Sequence, residues 1–171
     1  MIKKNFLYFF FGVFLFYILV PTLFKNDFTS VIDGDLVQIY GSLQVISGIA
    51  QENRDHPAFT QYLIYGIVYK IFSIFNPSIK TDFNFIFSNQ NSFNYLQNIY
   101  LISRFVNTLI IFAIIIFFNK VLKIFYIKNV IRYFLIFLIL ISEGFIRNIT
   151  MLRSDAVAVL LFLISTYYIL K

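Results

Sequence analysis

Five long apolar runs constrain this chain more than any other feature of its sequence. They lie near residues 6–24, 58–75, 101–118, 132–147 and 156–170. A helix of about 20 apolar residues is long enough to cross a bilayer. Only 13% of the residues are charged, against about 25% in a soluble domain. This deficit leaves too few charges for a water-facing surface, so we expect residues 1–171 to form a single all-α, polytopic membrane domain.

The basic residues flank these runs, as they do in integral membrane proteins. The net charge is +6, and the flanking cations are Lys3, Lys4, Lys25, Lys120, Lys123, Lys128 and Arg132. This distribution argues against nucleic-acid binding, which requires a basic patch on a folded surface. The absence of Cys excludes disulfides and thiolate metal sites.

The run 6–24 is predicted to be an uncleaved signal anchor, because a basic leader precedes it and no small-residue cleavage site follows. Residues 25–100 are expected to form a long outer loop with two interfacial helices, near 35–50 and 58–75. The remainder of that loop, residues 76–98, has no clear period and predicts irregular structure.

Each interfacial helix is predicted from its side-chain pattern. The first has an apolar stripe at helical spacing, from which its Gln and Ser residues point away: Leu36, Ile39, Leu43, Ile46 and Ile49. In the second, Tyr62, Tyr65 and Tyr69 share one face, where phenols can lie at headgroup level.

Three further spans are expected at 101–118, 132–147 and 156–170, which makes four in all. The short basic clusters at the N-terminus and at 120–132 belong on the cytoplasmic side, since the positive-inside rule holds for short loops. All eight acidic residues then lie outside. We therefore expect a multi-pass protein of the cytoplasmic (inner) membrane, with its N-terminus inside. Four spans make a thin bundle, so the chain is predicted to be the N-terminal part of a larger fold.

Two carboxylates beside a flexible Gly open the first interfacial helix, in the sequence Ile32-Asp33-Gly34-Asp35. Such a pair can hold a divalent cation or supply a general base. Asp is also a favoured N-cap that suits the positive end of the helix dipole. The pattern leaves these alternatives open.

Three Arg residues lie near the ends of predicted helices. Arg54-Asp55-His56-Pro57 precedes the 58–75 helix, and Arg153-Ser154-Asp155 precedes the last span. His56 is the only His, so a multi-histidine metal site is excluded. An ionisable pair at a membrane end marks either a functional site or a snorkelling Arg beside a capping Asp. Arg104, near the outer end of its run, has the same two interpretations.

The motifs occur in the order Asp33-Gly34-Asp35 with Tyr40, Asp55-His56-Pro57, Ser103-Arg104-Phe105-Val106-Asn107 and Leu152-Arg153-Ser154-Asp155. This ordered set resembles the N-terminal part of the GT-C superfamily of polytopic glycosyltransferases. The protein-mannosyltransferase and aminoarabinose-transferase branch is the most similar part of that superfamily.

The resemblance implies an inverting enzyme that transfers a sugar from a polyprenyl-phosphate donor to an acceptor hydroxyl at the outer membrane face. The acceptor would be a glycan, a lipid or a protein. Asp35 or Asp33 would be the general base, and Asp155 would face the same cavity. Some branches of the superfamily also hold a divalent metal beside the acidic motif, here Asp33 and Asp35.

The same resemblance implies a set of substrate-binding residues. Arg153, and also Arg54, would neutralise the phosphate of the leaving lipid, because a guanidinium fork matches phosphate oxygens. His56, Tyr40 and Arg104 are the further candidates for contact with the substrate.

Two other classes of protein fit the same sequence pattern. A small non-catalytic membrane assembly or scaffold subunit would use these charged residues as helix caps and snorkelling anchors. A fragment of a transporter or lipid flippase would line a substrate path with them, near the bilayer midplane. The apolar runs are free of charge at their centres, which favours the enzyme over the transporter.

Overall fold

The computed structural model describes residues 33–50, 58–143, 152 and 154–171. All regular structure in these residues is α-helical, as predicted. The helices are α1 (Asp33–Ile46), α2 (Phe59–Phe75), α3 (Phe83–Ser88), α4 (Ser92–Ile124), α5 (Asn129–Ile141) and α6 (Ser154–Leu170). The signal anchor predicted at 6–24 lies outside the described residues.

Helices α1 and α2 pack closely because glycines lie where they meet. A Cβ atom on Gly41 would lie 2.8 Å from the Tyr62 ring. A Cβ atom on Gly66 would overlap the Ile46 side chain and lie 3.1 Å from the Ser42 carbonyl oxygen. Small residues let two helix backbones approach in this way. Gly41 and Gly66 therefore set the distance between α1 and α2.

Helix α1 ends in a Schellman motif that depends on Gly48. Its φ of +68° lies in the left-handed region, which Gly adopts without steric cost. The Gly48 N–H donates to the Val45 carbonyl at 3.3 Å, and the Ile49 N–H donates to the Gln44 carbonyl at 3.0 Å. This turn ends α1 short of residue 50, the predicted limit of the helix.

Residues 76–98, predicted to be irregular, contain α3 and the first turns of α4. Asp82 caps α3, since its carboxylate accepts a hydrogen bond from the Phe85 N–H at 2.7 Å. Ile86 in α3 and Ile99 in α4 are fully buried. The loop prediction was wrong because burial of scattered apolar residues, rather than a regular sequence period, stabilises these turns.

Helix α4 is 33 residues long and contacts α1, α2, α3, α5 and α6. Helix α6 packs along it, and the rings of Phe117 and Tyr167 lie 5.9 Å apart near the C-terminal ends of the two helices. Ala156 and Val157, in the first turn of α6, are also buried. Helix α6 therefore lies against α4 from its first turn to Tyr167, and the two helices run in the same direction. With a rise of about 1.5 Å per residue, Asp155 lies about 18 Å before Tyr167 along α6, level with Phe105 of α4.

The two sides of α2 have the opposite polarity to a helix of a water-soluble protein. Its exposed side carries large apolar residues, namely Phe59, Leu63, Ile67, Ile71 and Phe75. Its buried side carries polar ones, namely Gln61, Tyr62, Tyr65 and Tyr69. The three tyrosines share one face as predicted, but that face packs into the protein and is not exposed. The reason is that α4 offers hydrogen-bond partners to the hydroxyls of Tyr65 and Tyr69.

Helix α1 is buried on its polar side as well as its apolar side. Ile39 and Leu43 of the predicted apolar stripe are buried, and so are Gln38, Ser42 and Gln44. The side chains that should point away from the stripe into water are therefore enclosed by the protein, because α2 and α4 cover that side of α1.

Among the described helices, α4 is the one long and apolar enough to cross a membrane, and it contains the predicted span 101–118. The predicted span 156–170 lies within α6, which has 17 residues. The predicted span 132–147 begins within α5, a helix of 13 residues that ends at Ile141. Helices α2, α5 and α6 are apolar but shorter than a full span.

Gly66→Leu should lower the free energy of unfolding by about 1–3 kcal/mol, because the added side chain overpacks the contact with Ile46. Thermal unfolding of the purified protein in detergent measures this change. The control is Ile67→Leu, on the exposed side of the same helix, which should melt like the natural protein. Equal melting temperatures for the two variants would contradict the close contact between α1 and α2.

Candidate functional site

Three polar residues within one turn of α4 are buried in the protein. Ser103 is 0% exposed, Arg104 is 4% exposed and Asn107 is 1% exposed. On the same helix, the apolar side chains of Phe105 and Leu109 are exposed. Burial of a polar group is costly unless it is hydrogen-bonded. These residues therefore need polar partners inside the fold.

Two tyrosines of α2 supply partners for this turn. The Tyr69 hydroxyl and the Ser103 hydroxyl are 2.5 Å apart, and the Tyr65 hydroxyl donates to Asn107 Oδ1 at 3.5 Å. The two phenol rings stack with their centroids 6.3 Å apart. Because the later tyrosine meets the earlier residue of α4, the two helices run antiparallel.

Arg104 is bound by a tyrosine of its own helix. Its Nε and one terminal guanidinium nitrogen donate to the Tyr100 hydroxyl at 3.0 Å and 2.7 Å. The guanidinium carbon also lies 5.0 Å from the centroid of the Tyr100 ring, within the range of a cation–π contact. The cation is therefore held in one orientation inside a largely apolar bundle.

Tyr69 is 0% exposed, and its hydroxyl is paired with the Ser103 hydroxyl. The neutral hydroxyl can donate a hydrogen bond as well as accept one. The cluster of Ser103, Arg104, Asn107, Tyr65, Tyr69 and Tyr100, hereafter the polar cluster, thus carries one fixed charge, the Arg104 guanidinium.

A second set of polar groups is buried in α1 and α2. The side chain of Gln61 is 1% exposed, and neither its amide oxygen nor its amide nitrogen has a hydrogen-bond partner. The Gln38 amide oxygen is also buried without a partner. The Ser42 hydroxyl, by contrast, donates to the Gln38 carbonyl oxygen at 2.6 Å. These amide groups can bind a water molecule or another hydroxyl donor.

The structure describes the side chain of one of the three predicted acidic site residues, Asp155. Asp33 and Asp35 are the first and third residues of α1, and their side chains lie outside the described part. Asp155 lies in the first turn of α6 and is exposed. Its position level with Phe105 assigns it to the same end of the bundle as the polar cluster. A convergence of Asp35 with Asp155 remains a prediction.

Of the five predicted substrate-binding residues, the structure describes two, Tyr40 and Arg104. Arg54, His56 and Arg153 lie outside the described residues. Tyr40 is half-buried, and its ring meets the rings of Phe83 and Phe87 edge-on at 4.8 Å and 5.5 Å.

Arg104 is buried and belongs to the polar cluster, an arrangement that differs from that of an exposed snorkelling side chain, and its role in substrate binding remains a prediction. Its helix begins at Ser92, three turns earlier, and encloses the guanidinium within the fold.

The sequence prediction missed the tyrosines as members of the site. Tyr65 and Tyr69 are four residues apart, as are Ser103 and Asn107. Residues at this spacing lie on one helix face. Two such polar pairs in otherwise apolar helices are a signal for an interhelical contact. It indicates a pairing but does not say which helix meets which.

No group of three or more His, Cys, Asp or Glu side chains comes together in the described part of the chain. The predicted divalent-metal site therefore still consists of Asp33 and Asp35 alone, and it remains a prediction. Oxygen donors are the ligands that Mg²⁺ prefers, so the residue types are suitable.

A double-mutant cycle on Tyr69→Phe and Ser103→Ala should reveal the hydrogen bond between α2 and α4. Each single change should cost about 1 kcal/mol because it leaves the other hydroxyl buried without this partner. The double variant should lose less free energy of unfolding than the two single variants lose when their losses are added. Thr108→Ala is the control, since the Thr108 hydroxyl donates to the Arg104 carbonyl within the same helix. Strict additivity would contradict the contact.

A guanidinium held beside neutral hydroxyls is chemically suited to bind a phosphate or another oxyanion. The exposed carboxylate of Asp155 at the same end of the bundle can accept a hydrogen bond from a hydroxyl group. Comparison with protein-family models, curated proteins and solved structures gave no match to this chain.

Proposed function

We propose that this chain is the N-terminal part of a multi-pass membrane glycosyltransferase that takes its sugar from a polyprenyl-phosphate donor. The observation that carries the proposal is the polar cluster around Arg104, enclosed by helices whose outer sides are apolar. Such a cluster brings a fixed cation to one end of the bundle, where an anionic lipid phosphate needs a partner.

The membrane location is supported by the distribution of polarity. Inside a bilayer no water is present to satisfy a polar group, so polar side chains turn inward and pair. The buried tyrosines of α2 and the polar turn of α4 follow this rule. Apolar side chains such as Ile67 and Leu109 are exposed instead, as expected of residues that face lipid. A water-soluble fold of this size would show the reverse arrangement.

In the proposed orientation, the polar cluster lies at the end of the bundle that faces the outer, non-cytoplasmic side of the membrane. Lys120, Lys123 and Lys128 lie at the C-terminal end of α4 or in the turn that follows. The positive-inside rule assigns that end to the cytoplasm. The turn of Ser103 and Arg104 lies at the other end of the apolar stretch, and so does Asp155.

The proposed reaction is a single displacement with inversion. The oxygen of the acceptor hydroxyl attacks the anomeric carbon of the sugar, while the bond from that carbon to the lipid phosphate oxygen breaks. The leaving polyprenyl phosphate takes the bonding electron pair, and the hydroxyl proton passes to the carboxylate of Asp35 or Asp33. Asp155 lines the same cavity. A divalent metal on the two carboxylates, where one binds, would stabilise the charge of the phosphate.

Cations are proposed to stabilise the leaving group. Arg153 and Arg54 would neutralise the negative charge that develops on the phosphate, with Arg104 as the buried member of the set. Tyr40 and His56 would contact the sugar or the acceptor, which is a glycan, a lipid or a protein. A scaffold subunit would need none of these contacts, and a transporter would need ionisable groups at the bilayer midplane.

Asp35→Asn in the full-length protein should abolish sugar transfer from a radiolabelled polyprenyl-phosphate donor, because an amide cannot take the proton from the acceptor. Extraction with alkaline carbonate should show unchanged membrane insertion. The matched control is Asp82→Asn, which removes the same charge but keeps a side chain that caps α3 well. Full activity of Asp35→Asn together with Asp33→Asn would contradict the enzyme and favour the scaffold.

Single-cysteine labelling should report the orientation, since the natural chain has no Cys. With intact cells, a membrane-impermeant maleimide should label Gln90→Cys, which precedes α4, and should leave Lys128→Cys unlabelled until the membrane is opened. Both positions are exposed. Labelling of both variants, or of Lys128→Cys alone, would contradict the proposed orientation.

A further inference from the structure

We propose that the lysine-bearing end of α4 and α6 is a binding surface for the headgroups of anionic phospholipids. This inference rests on the membrane location in the proposed function but not on sugar transfer. The surface, hereafter the basic end, consists of Lys120, Lys123, Lys128 and Lys171 with the aromatic residues beside them.

The tertiary structure brings two of these lysines to one aromatic ring. The Nζ atoms of Lys120 and Lys171 lie 5.4 Å and 5.9 Å from the ring centroid of Tyr167. Lys120 also lies 4.5 Å from the centroid of the Phe117 ring. Attraction to the ring faces holds the ammonium groups in place and leaves their N–H donors available to an anion. Cations from two helices thus form one surface.

The charge of the basic end has no acidic counterpart in the neighbouring sequence. No Asp or Glu occurs between residues 83 and 142, or between 156 and 171. Lys123 is exposed one turn after Lys120, and Lys128 is exposed in the turn before α5. In the first turn of α5, Arg132 is largely buried and its Nε has no hydrogen-bond partner. This end therefore fits an anionic partner.

The aromatic residues at the same end specify where that anion lies. Tyr126 is 94% exposed and has a φ of 54°, which turns the chain from α4 towards α5. Phe125 and Tyr168 are also exposed, and Tyr168 packs edge-on against Tyr167 at 5.2 Å. Exposed phenols beside lysines are typical of the boundary between hydrocarbon and headgroups. A lipid phosphate at that depth satisfies both the charges and the rings.

The opposite end of the bundle supplies a matched comparison. The contact between Tyr69 and Ser103 places the C-terminal end of α2 beside the N-terminal half of α4. Lys70 is therefore far from the basic end, and Lys80 follows in the connection to α3. Asp82 lies two residues from Lys80 and offsets its charge. Removal of these two lysines changes the net charge as much as removal of Lys120 and Lys123.

Native mass spectrometry of the full chain, with equal amounts of phosphatidylglycerol and phosphatidylcholine, tests the inference. The natural protein should retain more phosphatidylglycerol than phosphatidylcholine. Lys120→Gln with Lys123→Gln should reduce this preference by about fivefold for each charge removed, the usual contribution of a lysine near an anionic surface. Lys70→Gln with Lys80→Gln should leave it unchanged. If the first pair fails to fold by circular dichroism, Lys123→Gln alone provides the test.

Equal retention of the two lipids by the natural protein would overturn the inference, and so would an equal loss in both pairs of variants. Displacement of the lipid by equimolar glycerol phosphate would also overturn it, because the surface would then be a site for soluble phosphate. Insertion without lipid selectivity contradicts this inference alone. A chain that does not insert contradicts the proposed function as well.

Discussion

The hydrogen bonds between α2 and α4 are the interactions on which the rest of the fold depends. Ser103 and Asn107 are buried in a helix whose other side is apolar and exposed, and they are paired with Tyr69 and Tyr65. If α2 moved away, the Ser103 hydroxyl would keep only its bond to the Ile99 carbonyl of its own helix, and Asn107 would lose Tyr65. Each lost contact between helices would cost about 1–2 kcal/mol. The polar cluster therefore determines which faces of α2 and α4 turn inward.

Close packing of α1 extends the same arrangement. Gly41 and Gly66 allow the two backbones to approach, and the Schellman motif at Gly48 ends α1. The Ser47 hydroxyl accepts a hydrogen bond from the Phe83 N–H at 3.0 Å, which ties the end of α1 to the start of α3. Asp33 and Asp35 therefore begin a helix that is positioned by close contact at glycines and not by large apolar side chains.

The two ends of α4 are chemically different, and the proposed functions follow this difference. The end near Arg104 has a buried cation, neutral phenols and the exposed carboxylate of Asp155, which suit a phosphate-bearing substrate. The other end has exposed lysines supported by the Tyr167 ring, which suit a layer of anionic headgroups. The centre of α4, between these two ends, is apolar and carries no charge, so the two sets of charged groups are kept apart.

Apolar runs, flanking cations and the low charge by themselves determined that the chain is helical and where α2, α4, α5 and α6 fall, because backbone groups in an apolar environment must bond within a helix. Polar pairs at four-residue spacing indicate a contact between helices, but the sequence prediction did not include Tyr65 and Tyr69 in the site. Only the tertiary structure decided that Tyr65 and Tyr69 of α2 face α4 and that α3 and α4 extend into the Asn-rich region. It also decided that Lys120 and Lys171 both lie beside the Tyr167 ring. The physical reason is that an inward tyrosine and an interfacial one have the same helical period. The choice between them depends on a hydrogen-bond partner far away in the sequence.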